Sequence, residues 1–302
     1  MECKFEPIDD SIYGSVKGEK CVEFKYVEDN KGDLVIKKIR FINYKLNIEE
    51  TKKLFFDSFE FIKNINENYR IKCKSDFINS FIELPQNEIV ERCVKLFDKE
   101  QKLSEQVVQK VFKNFDNSSV DNIMLKCIVL NNRYSAGLTD NVISEEKKEK
   151  YKKDKKLLPV DLQTMSEHIW KCFKNNSFEP NTIKDMVSIV NKIGYLGDEY
   201  EKVYVFASKY CAWTYRNIDV PIMDSKVKGL LYKFNRMEKF YDNLKREDLD
   251  DYGKFVCVCK KFVEKYDFEG EGYKKVDKYL WQYAKNIERE IKKEYGIDVV
   301  IL

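Results

Sequence analysis

The chain has 302 residues, 43% of them hydrophobic and 35% charged, with a formal net charge of +3. That apolar share supports a sizeable core in one large domain or two smaller ones. The near-balance of charge excludes a globally basic nucleic-acid binder and leaves only a local basic face for such a role.

The N-terminus, MECKFEPIDD, has neither the basic nor the apolar region of a signal peptide. No apolar run approaches the ~18 residues needed to span a bilayer. Nine scattered cysteines, an odd number, point to reduced thiols in a cytoplasmic protein rather than a disulfide framework. Cys257 and Cys259 are the only close cysteine pair and His168 is the only histidine, so no metal site is expected. A Ser-His-Asp triad would need His168, whose amphipathic setting MSEHIWKCF places it at a helix surface or boundary.

In chain order, residues 11–47 read as strands. KCVEFKYVED alternates, with Val22, Phe24 and Tyr26 on one face; Asn30-Lys31-Gly32 signals a turn, and DLVIKKIRFINYKL follows. From residue 49 the period is helical. IEETKKLFFDSFEFIKNI places Leu54, Phe55, Phe59 and Ile62 at three- and four-residue steps. NEIVERCVKLF is a second helix, SEQVVQKVFKNF starts a third with Ser104 as N-cap, and SVDNIMLKCIVLNNRYSAGL is the most apolar. The lysine-dominated stretch TDNVISEEKKEKYKKDKKLL, 139–158, reads as a solvated loop or surface helix. Thr182 and Asp185 form a capping-box start and Gly194 a stop for IKDMVSIVNKIG. The remainder is helical by period, including GYLGDEYEKVYVFASKYCAWTYRN and KKVDKYLWQYAKNIEREIKKEYG. The expected fold class is α+β, predominantly α: a small antiparallel β part over 1–48, then a helical body over 49–302.

Three features of that body carry chemistry. In DVPIMDSKVKGLLYKF, Pro221 keeps Val220 extended and a helical period begins after Asp224. Asp224 therefore sits at a helix N-terminus, where exposed N–H groups and the helix dipole favour a carboxylate; capping alone also accounts for it. The preceding helix carries small residues, Ala207, Ser208, Cys211 and Ala212, that permit close backbone approach. Upstream, Asn131-Asn132-Arg133 ends an apolar helix with side chains able to read base edges, or simply forms a polar helix C-terminus.

Together these features resemble the helix-hairpin-helix DNA glycosylase superfamily over roughly residues 119–300. In that family an apolar link Val-Pro-(Ile/Val)-x-Asp follows the second helix of the motif, and VPIMDSKVKGLL is similar to it. The Ala207-to-Asp224 spacing, CIVLNNRYS and the N-terminal strands resemble the 8-oxoguanine glycosylase branch. The sequence departs from the family at the hairpin: IGYLGDEYEKVYVFA stands where Leu-Pro-Gly-Val-Gly is usual, with Gly194 and Gly197 out of register. Val205 occupies the position of the catalytic lysine of bifunctional members, while Lys209 lies one turn further on, on the same face.

The resemblance implies two helical lobes with a cleft between them and hydrolysis of the N-glycosidic bond of a flipped base, by a monofunctional enzyme without cofactor. It implies Asp224 as the catalytic carboxylate. Asn131, Asn132, Arg133 and Tyr134 would fill the gap left in the duplex, and Lys226 and Lys228 would hold phosphates. Tyr210, Trp213, Tyr279 and Trp281 would line a base pocket, although an aromatic stripe at helical spacing also fits a core. With two cysteines after the aspartate's helix, no iron–sulfur cluster is expected. The expected partner is double-stranded DNA, bound by a cytoplasmic monomer, nucleoid-associated in a bacterium. Two alternatives are a non-catalytic DNA-binding protein of the same fold and an all-α protein-interaction module in which Asp224 only caps. A nuclease has less support, because no carboxylate cluster at metal-site spacing stands out.

Overall fold

The computed structural model describes residues 3–8, 11–16, 19–28, 34–41, 69–71 and 81–295, the last with short gaps at 135, 141, 177, 217 and 269–271, and residue 301. The chain divides into two compact units, Met1–Leu84 with Tyr283–Leu302, and Pro85–Gln282.

The first unit holds strands β1 (Cys3–Ile8), β2 (Ser11–Val16), β3 (Glu19–Glu28), β4 (Leu34–Phe41) and β5 (Tyr69–Ile71), in one sheet of order β1-β2-β3-β4-β5. β1 to β4 pair antiparallel, with register shifts at Gly14/Ser15 and Lys25/Tyr26. β5 joins β4 in parallel, Val35 opposite Arg70. A parallel neighbour needs a crossover connection instead of a tight turn.

The second unit begins α1 (Asn87–Asn114), α2 (Val120–Tyr134), α3 (Glu145–Lys153), α4 (Leu162–Lys174) and α5 (Ile183–Gly194). It continues with α6 (Tyr204–Thr214), α7 (Ser225–Glu238), a 3₁₀ turn (Arg246–Asp250), α8 (Tyr252–Lys265) and α9 (Gly272–Tyr295), whose residues from Tyr283 on belong to the first unit.

The expected fold class is corrected on this evidence. Among its described residues the Pro85–Gln282 unit is all-helical, with β-type pairing limited to the isolated bridges Thr139↔Asp161 and Leu158↔Tyr200. The strands are not a small antiparallel part over 1–48, because the fifth lies at Tyr69–Ile71 and pairs parallel. The expected turn at Asn30-Lys31-Gly32 and the helix over IEETKKLFFDSFEFIKNI lie outside the described residues.

Two further expectations change. Ser104 caps nothing: α1 runs unbroken through it, since DKEQKL contains no Gly or Pro and consists mostly of good helix formers. Residues 195–203 are a loop rather than helix, entered after Gly194 and turning at Gly197, whose φ is +125°. The capping box of Thr182 and Asp185 forms, as does the N-cap at Asp224.

The core of this unit runs through α6. Phe206, Ala207, Tyr210 and Cys211 are fully buried, as are Met186, Val190 and Ile193 of α5 and Cys127 and Leu130 of α2. Gly194 is required where α5 meets α6. A Cβ there would run into the Tyr204 ring, 2.9 Å from Cε1 and closer still to Cδ1.

On the α1/α2 side of α6 lies an unusual core member, the buried Lys126. Its Nζ donates to Asn117 Oδ1 at 2.7 Å and sits over the rings of Phe112 (5.1 Å) and Tyr210 (5.9 Å). Burial pushes this ammonium down from 10.5 to about 8, against the opposing pull of Asp116.

Two consequences are measurable. Gly194→Ala costs about 2 kcal/mol by forcing the Tyr204 ring aside, read as a lower urea midpoint with unchanged slope. The unfolded chain holds the Lys126 proton more tightly than the folded one. Lys126 therefore penalises folding below pH 8, and the penalty fades as pH rises from about 8 towards 10.5. Wild type should gain stability relative to Lys126→Met over that window, measured by parallel denaturation of both.

Candidate active site

The link between α6 and α7 carries the site. Val220, Pro221 and Met223 are buried, and the link's backbone is bonded to three helices. Ile222 N–H donates to Asp277 Oδ2 of α9 at 2.8 Å. Met223 N–H donates to Ser208 Oγ of α6 at 3.0 Å, and the Pro221 carbonyl accepts from the Tyr252 hydroxyl of α8 at 2.9 Å. An apolar link with an imino acid has few donors, and these bonds satisfy two of them, the N–H groups of Ile222 and Met223. They also hold the next residue, Asp224, in place.

Asp224 is the N-cap of α7, with extended backbone angles (φ −136°, ψ 148°) and Oδ1 accepting Lys226 N–H at 3.0 Å. Its second oxygen, Oδ2, meets Lys209 Nζ at 2.9 Å. Lys209 also donates to the Tyr134 carbonyl at 3.0 Å, in the last turn of α2. The pair is sheltered: the side chains are 5% and 15% exposed. A buried charge is retained only when paired, and the Lys209–Asp224 contact meets that need for both partners.

Asp277 lies beside this pair. Burial raises its carboxyl well above the ordinary range; the carboxylates of Asp219 and Asp224 push it further up, while Ile222 N–H and Lys209 oppose. Burial thus favours the protonated form of Asp277. Oδ2 has Ile222 N–H, whereas Oδ1 is buried with no hydrogen-bond partner. Asp219 in turn caps α9, accepting from Tyr273 N–H and, at 3.1 Å, from Lys274 N–H. Gly272, with φ +78°, lets that carboxylate approach, since a Cβ there would collide with it.

These groups line a cavity of 390 Å³, the size class of small-ligand pockets. Lys209, Asp224 and Asp277 lie on its wall with Trp213 and Trp281. Arg216 and Lys274 stand 5.4 Å and 5.7 Å from the Trp213 ring, and Phe97 packs edge-on to Trp281 at 5.4 Å. Arg133, Lys226 and Lys278 add positive charge to the lining, against Glu105.

The expected site residues divide. Asp224, Lys209, Arg133, Tyr134, Lys226, Trp213 and Trp281 all line this cavity. Asn131 is committed elsewhere: its amide donates to the Leu138 carbonyl and to Asp140 Oδ1, both at 3.0 Å, and accepts Leu138 N–H at 3.1 Å, so it braces the loop after α2. Asn132 is exposed on the same turn. Lys228 is paired with Asp250 at 2.5 Å. Tyr210 and Tyr279 are core residues, Tyr210 donating to Asn117 Oδ1 at 2.6 Å and Tyr279 stacked on Phe268.

Sequence reasoning missed Asp277, Asp219, Arg216 and Lys274. For Asp277 a signal existed, since it lies one turn before Trp281 on the same helix. Nothing local distinguishes Arg216 or Lys274 from other surface cations. His168 is half-buried on α4, its Nε2 3.1 Å from the Lys192 carbonyl. Cys257 is exposed and Cys259 buried, and no group of His, Cys, Asp and Glu suited to a metal occurs among the described residues.

The hairpin between α5 and α6 differs from the form its resemblance implies. Three of its amides are used inside the protein. Tyr200 N–H donates to the Gly197 carbonyl, Val203 N–H to that of Gly194 and Glu201 N–H to that of Leu158, at 3.2, 3.0 and 2.8 Å. Phosphate anchoring by those amides is thereby closed off.

Because Asn caps a helix as well as Asp, Asp224→Asn isolates the charge from the cap. It leaves Lys209 buried and unpaired, at a cost of about 3 kcal/mol. The double variant Lys209→Met/Asp224→Asn recovers much of that loss, a coupling that a double-mutant cycle in urea measures.

Comparison with known proteins gives one partial match. Among the described residues no helix is long and apolar enough to cross a membrane. The chain matches no curated protein and no solved structure. Residues 86–218 are similar to the family described as the HI_0787 N-terminal domain, a span that covers α1 to α6, includes Lys209 and Trp213, and stops just before Asp219.

Proposed function

We propose that this protein is a DNA glycosylase, which takes a damaged or modified base out of the duplex and breaks its N-glycosidic bond. The observation that carries the reading is the sheltered Lys209–Asp224 pair on the wall of a 390 Å³ cavity between two tryptophans. Cleaving the C1′–N bond builds positive charge on the sugar, as in glycoside hydrolysis. A carboxylate fixed at a helix N-terminus stabilises that charge and orients or deprotonates an attacking water. Trp213 and Trp281 offer faces on which a flipped base stacks. Double-stranded DNA is the proposed partner, with Arg133, Arg216, Lys226 and Lys274 meeting its phosphates in place of the hairpin amides.

The position of Lys209 favours a second form of the same reading. Val205 implied a monofunctional enzyme, yet Lys209 Nζ stands 2.9 Å from Asp224 Oδ2, where a nucleophilic amine and its carboxylate partner belong. Once the ammonium passes a proton to Asp224, the amine adds to C1′ as the base departs with the bonding pair. The C1′–O4′ bond then opens, O4′ taking the proton from Asp224 and the nitrogen losing one. The resulting imine permits β-elimination of the 3′ phosphate, which cuts the strand.

Duplexes carrying a panel of oxidised, alkylated and otherwise modified bases test the reading. Wild type should release one of them, and Asp224→Asn should slow single-turnover release about 10²-fold or more while keeping salt-dependent DNA affinity. Borohydride should trap a covalent adduct that Lys209→Gln lacks; release without an adduct assigns the attack to water. Affinity with no release of any base would instead mark a DNA-binding protein. The absence of salt-dependent affinity would mark an interaction module.

A further inference from the structure

The base-excision reading leaves one group of the cavity without a task, and the following inference rests on that reading. A departing base carries off the bonding electron pair, and release is faster when a proton meets it. Lys209 and Asp224 act on the sugar side of the bond; neither supplies that proton in the steps above. Asp277 lines the same cavity from α9, one helical turn before Trp281.

The two oxygens of Asp277 are not equivalent. Oδ2 accepts Ile222 N–H at 2.8 Å, so the carbonyl character belongs there and the acid proton on Oδ1. Oδ1 is buried and has no hydrogen-bond partner. Buried polar groups of folded proteins are nearly always paired, and one that is not calls for a functional account. An unaccepted carboxyl oxygen on a residue that lines a ligand-sized cavity is a group waiting for a partner that the described residues do not provide.

We propose that Asp277 is the general acid of this site, delivering its Oδ1 proton to a ring nitrogen or carbonyl oxygen of the leaving base as the C1′–N bond breaks. The balance of the step is direct. The glycosidic pair goes to the base nitrogen, the proton goes from Asp277 to the base, and Asp277 is left as a carboxylate. C1′ is captured by water or by the Lys209 amine. Solvent returns a proton to Asp277 after the neutral base leaves.

The surroundings suit a donor that must stay protonated. From the link, the carboxyl groups of Asp219 and Asp224 face Asp277; from α6, Lys209 acts on it in the opposite sense. From α8, Tyr252 and Cys259 face it, both raised well above their ordinary values by burial and therefore neutral. Burial and the acidic neighbours outweigh Ile222 N–H and Lys209, which favours the acid form. Two carboxyl groups in one site then hold opposite roles, one a proton donor and one paired with a cation beside the sugar, a division that environment alone sets.

Asp277→Asn tests the assignment with little change of shape, since the Asn oxygen still accepts Ile222 N–H and its NH₂ replaces the O–H as a donor that cannot transfer a proton. Affinity for a duplex containing an abasic-site analogue should equal wild type, which establishes that the variant is folded. Single-turnover release of an uncharged base should fall about 10²- to 10⁴-fold. Release of N7-methylguanine, a cationic leaving group that needs no proton, should be nearly unaffected. The decline of wild-type release at high pH, where Asp277 loses its proton, should vanish in the variant. Equal losses for neutral and cationic bases would reduce Asp277 to a positioning residue and overturn the proposal, as would release at wild-type rates. Wild type that releases no base from any duplex overturns the glycosylase reading itself, and the proposal with it.

Discussion

The contact on which the rest of the site depends is the ion pair between Lys209 and Asp224. It ties three segments at one point: the last turn of α2 through the Tyr134 carbonyl, the middle of α6 through Lys209, and the first turn of α7 through Asp224. None of the three is adjacent in sequence. Burying two charges is costly, so these segments must meet where the charges do, and a small misplacement of any of them leaves a charge unpaired. The pairing that holds the corner together also leaves an amino group and a carboxyl group side by side on a cavity wall.

The link before Asp224 shows how that position is kept. Its apolar side chains sink into the core, and its backbone finds partners on α6, α8 and α9. Ser208 is small enough for the link to reach its hydroxyl, and Tyr252 is long enough to reach the Pro221 carbonyl. Asp277 accepts Ile222 N–H, and burial raises its carboxyl well above the ordinary range. One residue thus fixes the link and, on the proposal above, serves as proton donor. This double use gives a physical reason for a carboxyl group in the interior, where a hydrocarbon side chain would pack at less cost.

The hairpin shows where resemblance to a family has limits. Helices α5 and α6 and the apolar link that follows them are present, but the amides of Tyr200, Glu201 and Val203 are spent on the carbonyls of Gly197, Leu158 and Gly194. Acidic side chains at Asp198, Glu199 and Glu201 agree with that loss, since an anion would be repelled there. Positive charge collects instead around the cavity, where Arg216 and Lys274 flank Trp213.

Much of this was legible in the sequence, and the division follows from the range of the interactions. The cap at Asp224, the capping box at Thr182 and Asp185, and the helical period of the body depend on residues a few positions apart, so local pattern determined them. Ser104 and residues 195–203 were misread because period alone does not say where a helix continues or stops. The small antiparallel β part expected over 1–48 was a misreading of the architecture, since a parallel partner at Tyr69–Ile71 has no local signature. Within the site, the sequence by itself picked out Asp224, Lys209, Trp213 and Trp281 as candidates. It did not separate Trp213 from Tyr210, three positions away on the same helix, because facing a cavity or the core depends on the neighbouring helix. Only the tertiary structure decided that Lys209 meets Asp224, that Asn131 braces a loop, and that burial raises the Asp277 carboxyl and leaves its Oδ1 without a hydrogen-bond partner. Each of these rests on desolvation or on contacts between distant segments, and neither exists until the chain has folded.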